Sequence, residues 1–132
     1  MAGKKNAKLK LLYLKEIFEK YTDEEHILNA VDIAEKLEEY GIECERKSIY
    51  KDIEILIDYG LDIIKTNKPK TGYFLASREF EVAELRLLND AIQSARFVSK
   101  RKTVQLLKKT DNLLSVYQSA RLKKQVFIDN SN

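Results

Sequence analysis

Apolar residues recur at helical spacing through most of this chain. Over residues 8–21, Leu11, Leu14, Phe18 and Tyr21 form one stripe, with Lys10, Lys15 and Glu19 off it, which predicts a first helix. TDEEH (22–26) breaks the pattern. Asn29 then stands as an N-cap, with Asp32 three residues on in the reciprocal capping position. The second helix, about Ala30 to Tyr40, buries Ile33, Ala34 and Leu37. It stops at Gly41, a residue type suited to the left-handed conformation after a helix end. GIECE leaves only a tight turn before RKSIYKDIEILIDYG, so two short helices meet as a helix-turn-helix.

In this third helix, residues 46–59, Ile49, Ile53, Leu56 and Ile57 fall within one arc and are expected to face the core. Lys47 and Lys51 stack on the opposite side, flanked by Ser48 and Tyr50, and Glu54 and Asp58 follow further along. Cations thus fill the first two turns, where the helix dipole favours acids. A local choice that works against stability often marks function. Glu45 stands where Ser or Thr would cap the helix, which weakens that end by a fraction of about 1 kcal/mol.

After Gly60 the pattern changes to LDIIKT, NKPKTG and YFLA, a strand, a turn and a strand. Lys65, Lys68 and Lys70 make the hairpin tip basic, with no acid between Asp62 and Glu79. Three helices followed by a basic hairpin give the order of a winged helix-turn-helix domain over residues 1–77. The predicted class is therefore mostly α with a small β-hairpin wing. Beyond it, Val82, Leu85, Leu88 and Ile92 form a stripe up to about Phe97. Ser99 opens another helix with Val104, Leu107, Asp111 and Leu114 on one face. Residues 78–124 thus read as a helical connector, and QVFIDNSN (125–132) starts like a strand.

Composition agrees: 4 Gly and 1 Pro in 132 residues favour long helices over a many-turned β protein. No run of about 18 apolar residues predicts a membrane span, and the N-terminus lacks the apolar stretch and cleavage site of a signal peptide. The single cysteine, Cys44, rules out an internal disulfide and fits a reducing cytoplasm. The formal charge of +3 says little about partners. Residues 1–76 carry 13 Lys/Arg against 15 Asp/Glu, and residues 77–132 carry 11 against 6. What matters is where the charges sit on each element.

Catalysis has little to stand on. His26 and Cys44 would be a base and nucleophile without an orienting group or oxyanion donors. HExxH, CxxC and Gly-rich phosphate loops are all missing from the sequence, so no metal, cofactor or enzymatic activity is expected. Nucleic-acid recognition fits better. The major groove of B-DNA admits one helix, and the first turns of that helix reach base edges. Lys47 and Lys51 can bond guanine acceptors or phosphates, Ser48 either, and Tyr50 a phosphate or sugar. Arg46, nearer the core edge, is assigned to phosphate. The basic tip, residues 65–71, can lie on the backbone and supply affinity with little sequence information.

The stretches RKSIYKDIEIL, GYFLASREFEVAEL and LNDAIQSARF resemble the N-terminal half of bacterial WYL-domain transcriptional regulators, sometimes grouped loosely with DeoR-type proteins. The resemblance runs from about Lys8 to the end. It implies a winged-helix DNA-binding domain, a helical connector and then an effector-sensing WYL domain. Arg46, Lys47, Ser48, Tyr50 and Lys51 match the DNA-reading start of the recognition helix, and Lys68 and Lys70 match the wing. No WYL motif occurs in this sequence, and the chain stops where the effector domain would begin. A fragment is therefore expected, with effector binding only if a WYL domain is present in the full-length protein. The partners expected are a double-stranded DNA operator and a second copy of the chain, the latter through residues 80–117, whose apolar stripes need a partner surface unless both pack in cis as a helical hairpin on the winged helix. Two rivals stand beside this: a winged-helix protein-interaction module using Tyr50 and Ile55, and a shape-reading RNA or general nucleic-acid binder.

Overall fold

The computed structural model describes the backbone of residues 3–130 and the side chains of residues 7–124. Its six helices and one two-stranded antiparallel hairpin make the chain mostly helical with a small β wing. Two compact units divide it, Met1–Ala76 and Ser77–Asn132.

The first unit contains α1 (Gly3–Tyr21), α2 (Ala30–Glu39), α3 (Arg46–Tyr59), β1 (Asp62–Thr66) and β2 (Gly72–Ser77). Each helix turns its apolar stripe inward. Leu14, Ile17 and Phe18 of α1, Ile33 and Leu37 of α2, and Ile49, Ile53 and Leu56 of α3 build one core. Ile63 and Leu75 close it from the hairpin. Asn29 caps α2 through the expected reciprocal pair: its side chain accepts from Asp32 N at 2.8 Å, and Asp32 Oδ2 accepts from Asn29 N at 3.0 Å. Gly41 (φ 81°) and Gly60 (φ 127°) take the positive-φ conformations after α2 and α3.

Two links hold the strands of the hairpin to the segment between α1 and α2. Buried Thr22 donates to Phe18 O at 2.6 Å and accepts from Leu75 N at 3.0 Å. Leu28 pairs antiparallel with Tyr73 through two backbone hydrogen bonds of 3.0 and 2.8 Å. Gly72 lies against this crossing, where a Cβ would stand 2.7 Å from both Ile27 Cγ2 and Leu28 O.

The second unit contains α4 (Val82–Ser94), α5 (Lys100–Asp111) and α6 (Val116–Asn130). Among the described residues its core holds Leu85, Leu114 and Leu122, with Phe80 and Val82 against them. Ser99 caps α5 by accepting from Lys102 N at 3.1 Å. Ser115 and Gln118 exchange two 3.1 Å hydrogen bonds at the start of α6. Buried Asn89 accepts from Thr110 at 2.7 Å, tying α4 to α5.

Several expectations are corrected. The first helix begins at Gly3, five residues before the expected Lys8. Lys10, placed off the apolar stripe, is 8% exposed, because it shares a face with Leu14, Ile17 and Phe18. Ile57, expected in the core, is 44% exposed at the edge of the apolar arc. Leu114 does not belong to the helix opened by Ser99, which ends at Asp111. The chain turns there and forms α6, so residues 125–130 of QVFIDNSN are helical rather than a strand. The last two, 131–132, lie outside the described residues. Among the described residues, no helix is long and apolar enough to cross a membrane.

Candidate nucleic-acid interface

The turn after α2 delivers α3 with its first two turns uncovered. Arg46, Lys47, Tyr50 and Lys51 are exposed there, while Ile49 and Ile53 anchor the opposite side. The N-cap residue Glu45 makes no side-chain hydrogen bond to the end of the helix. Arg46, Lys47 and Lys51 form no ion pair among the described residues, and the same holds for Lys65 on β1 and Lys68 in the hairpin turn. Among the described residues, α3 and the hairpin thus carry five cations that form no ion pair.

A groove of about 510 Å³ separates the two elements, with Tyr50, Glu54 and Ile57 of α3 on one wall and Lys65, Gly72 and Tyr73 of the hairpin on the other. The rings of Tyr50 and Tyr73 approach to 6.4 Å between centroids, tilted by 53°. Burial pushes the Tyr73 phenol above its ordinary value, and Tyr50 and Glu54 add to the shift, so it stays an O–H donor at neutral pH. On the other side of α3, Arg46 and Lys47 line a second groove together with Glu35 and Glu38 of α2. Carboxylates thus line both grooves beside α3, Glu54 on the hairpin side and Glu35 and Glu38 on the α2 side.

Two of the expected contact residues are engaged within the chain. Ser48 is half-buried; its hydroxyl donates to Glu45 O at 2.7 Å and accepts from Lys10 Nζ at 2.8 Å. Lys70 is held 2.7 Å from Asp32 Oδ2, at the capped start of α2. Partial burial pushes the Asp32 carboxyl up, but the Lys70 hydrogen bond, the Asn29 N–H and the Lys70 charge outweigh it and leave the group below its ordinary value. Lys70 thus braces the wing against α2.

His26 Nδ1 lies 2.7 Å from Asp23 Oδ1 in the turn after α1. Burial, before the nearby charges, pushes the Cys44 thiol up, which disfavours the thiolate a nucleophile needs. Among the described residues, no group of three His, Cys, Asp or Glu is placed to hold a metal ion.

Lys10 was missed by sequence reasoning, although its spacing to Leu14, Ile17 and Phe18 puts it on the buried face. A lysine on an apolar stripe was the available signal. No family model, curated protein or solved structure matches the chain.

Proposed function

We propose that this protein binds double-stranded DNA sequence-specifically and acts as a transcriptional regulator in a bacterial cytoplasm. The observation that carries this reading is the set of unpaired cations on the first two turns of α3 and on the hairpin. Helix α3 enters the major groove, with Lys47 and Lys51 toward base edges and Arg46 and Tyr50 toward the backbone. Ser48, whose proton is already donated, adds at most an acceptor. Lys65 and Lys68 lie along phosphates, and Lys70 joins them only by exchanging Asp32 for a phosphate. The likeness of RKSIYKDIEIL and its neighbours to WYL-domain regulators supports the same reading.

The second unit pairs two copies of the chain. Among the described residues its three helices bury few apolar side chains, while Leu87, Phe97 and Val104 are 71%, 93% and 50% exposed. Exposed apolar side chains of this size suit a partner surface. A two-fold dimer matches a palindromic operator.

One observation favours a different reading. Tyr50, Ile55 and Tyr59 on α3 are 44%, 48% and 75% exposed, enough to serve a protein partner. The two readings separate by selection of bound duplexes from a random pool. DNA readout predicts an enriched motif whose affinity falls steeply with salt. A pool that stays random after repeated selection overturns it in favour of the protein partner.

A further inference from the structure

Lys10 is the only residue of α1 whose charged group is buried among the described residues. Its Nζ reaches α3 at two points one turn apart, Ser48 Oγ at 2.8 Å and Asp52 Oδ2 at 2.7 Å. The Lys10 and Asp52 side chains are only 10% and 16% exposed. Asp52 Oδ2 has no well-directed hydrogen bond, so the Lys10 charge is what compensates it. Ser48 passes the contact on to Glu45 O at the N-cap of α3. An α1 side chain therefore grips the first turns of α3, at the end whose N-cap residue makes no side-chain cap.

Stability alone does not call for this arrangement. Desolvating both charges offsets much of their attraction, and apolar residues of similar size often replace a buried pair without loss. Apolar packing around it is already dense, with Leu14, Ile49 and Ile53 at most 2% exposed. What an ion pair adds is direction. Leucines and isoleucines tolerate a small rotation or slide of one helix on another, whereas the ammonium must keep its hydrogen bond to Ser48 Oγ while its charge stays against Asp52. Lys47 and Lys51 each stand one residue before a gripped position, about 100° around the helix. Fixing Ser48 and Asp52 therefore fixes where those two side chains point.

Building on the DNA-binding reading, we propose that Lys10, through Ser48 and Asp52, is a positioning residue that sets the rotation of the recognition helix and thereby its sequence discrimination. Bulk affinity, which depends on the cations themselves, does not depend on it.

The test compares wild type, Lys10→Arg and the apolar double variant Lys10→Met/Asp52→Leu on a preferred and a random duplex. The double variant is expected to unfold at or above the wild-type midpoint and to hold random DNA as tightly. Its preference for the chosen sequence is expected to fall by about tenfold or more, with partial recovery in Lys10→Arg. Unchanged preference in the folded double variant overturns the proposal. A second readout needs no DNA: backbone amide signals of residues 46–51 should broaden or multiply in the double variant while core signals stay sharp, and sharp single signals there overturn the proposal. If wild type shows no preference at all, the DNA reading fails and the amide readout still decides the positioning role. Should the double variant not fold, Asp52→Asn, which keeps the side chain's shape but removes the charge facing Lys10, is read the same way, loss of preference and broadened 46–51 signals supporting the proposal and an unchanged pattern overturning it.

Discussion

Gly72 has no room for a side chain, since its missing Cβ is what lets β2 pass the backbone of Leu28. Gly72→Ala forces the two segments apart and is expected to lower stability by about 1–3 kcal/mol, the usual cost of overpacking. Urea unfolding measures it; an unchanged midpoint would mean the crossing is loose. Asn29→Ala removes the α2 cap and should cost about 1 kcal/mol by the same measurement. The two sites differ in how readable they were. Asn29 and Asp32 are three residues apart, so their capping pair was legible in the sequence. Gly72 matters because of Leu28, Thr22 because of Leu75, and Lys10 because of Ser48, partners that only the folded chain brings together.

At the scale of elements, the wing is joined to α2 by Lys70 and Asp32. The Asp32 carboxyl lies below its ordinary 3.8 in the folded chain. Its contribution is therefore complete above that ordinary value and is lost as pH falls through the lowered folded one. Asp32→Asn keeps an acceptor for Asn29 N but removes the charge. The stability gap between wild type and this variant is expected to be small, level from about pH 5 to 7, and to close as the solution is acidified below about pH 4. Unfolding midpoints across that range check it, and a gap that widens on acidification would reverse the sign. Helices α2 and α3 and the hairpin were legible because periodicity, caps and turn residues agree locally. Helix α6 was not. Val126, Phe127 and Ile128 read as strand residues, while the Ser115/Gln118 exchange that opens a helix was overlooked.

For the whole molecule we propose two roles: the cationic helix and wing meet DNA, and the second unit pairs the chain. Pairing through the second unit predicts a concentration-dependent dimer by sedimentation, reduced to monomer in Leu87→Ser/Phe97→Ser with helix content unchanged. A monomeric wild type at tens of micromolar would remove the dimer and leave DNA binding to single copies. The most direct test of the central claim is fluorescence anisotropy on a selected and a random duplex at several salt concentrations, for wild type and Lys47→Ala/Lys51→Ala. Wild type is expected to prefer the selected sequence by about tenfold or more, and the variant to lose that preference while the wing still holds random DNA. Equal binding to every sequence, or a preference untouched by removing both lysines, would contradict the claim that α3 reads DNA.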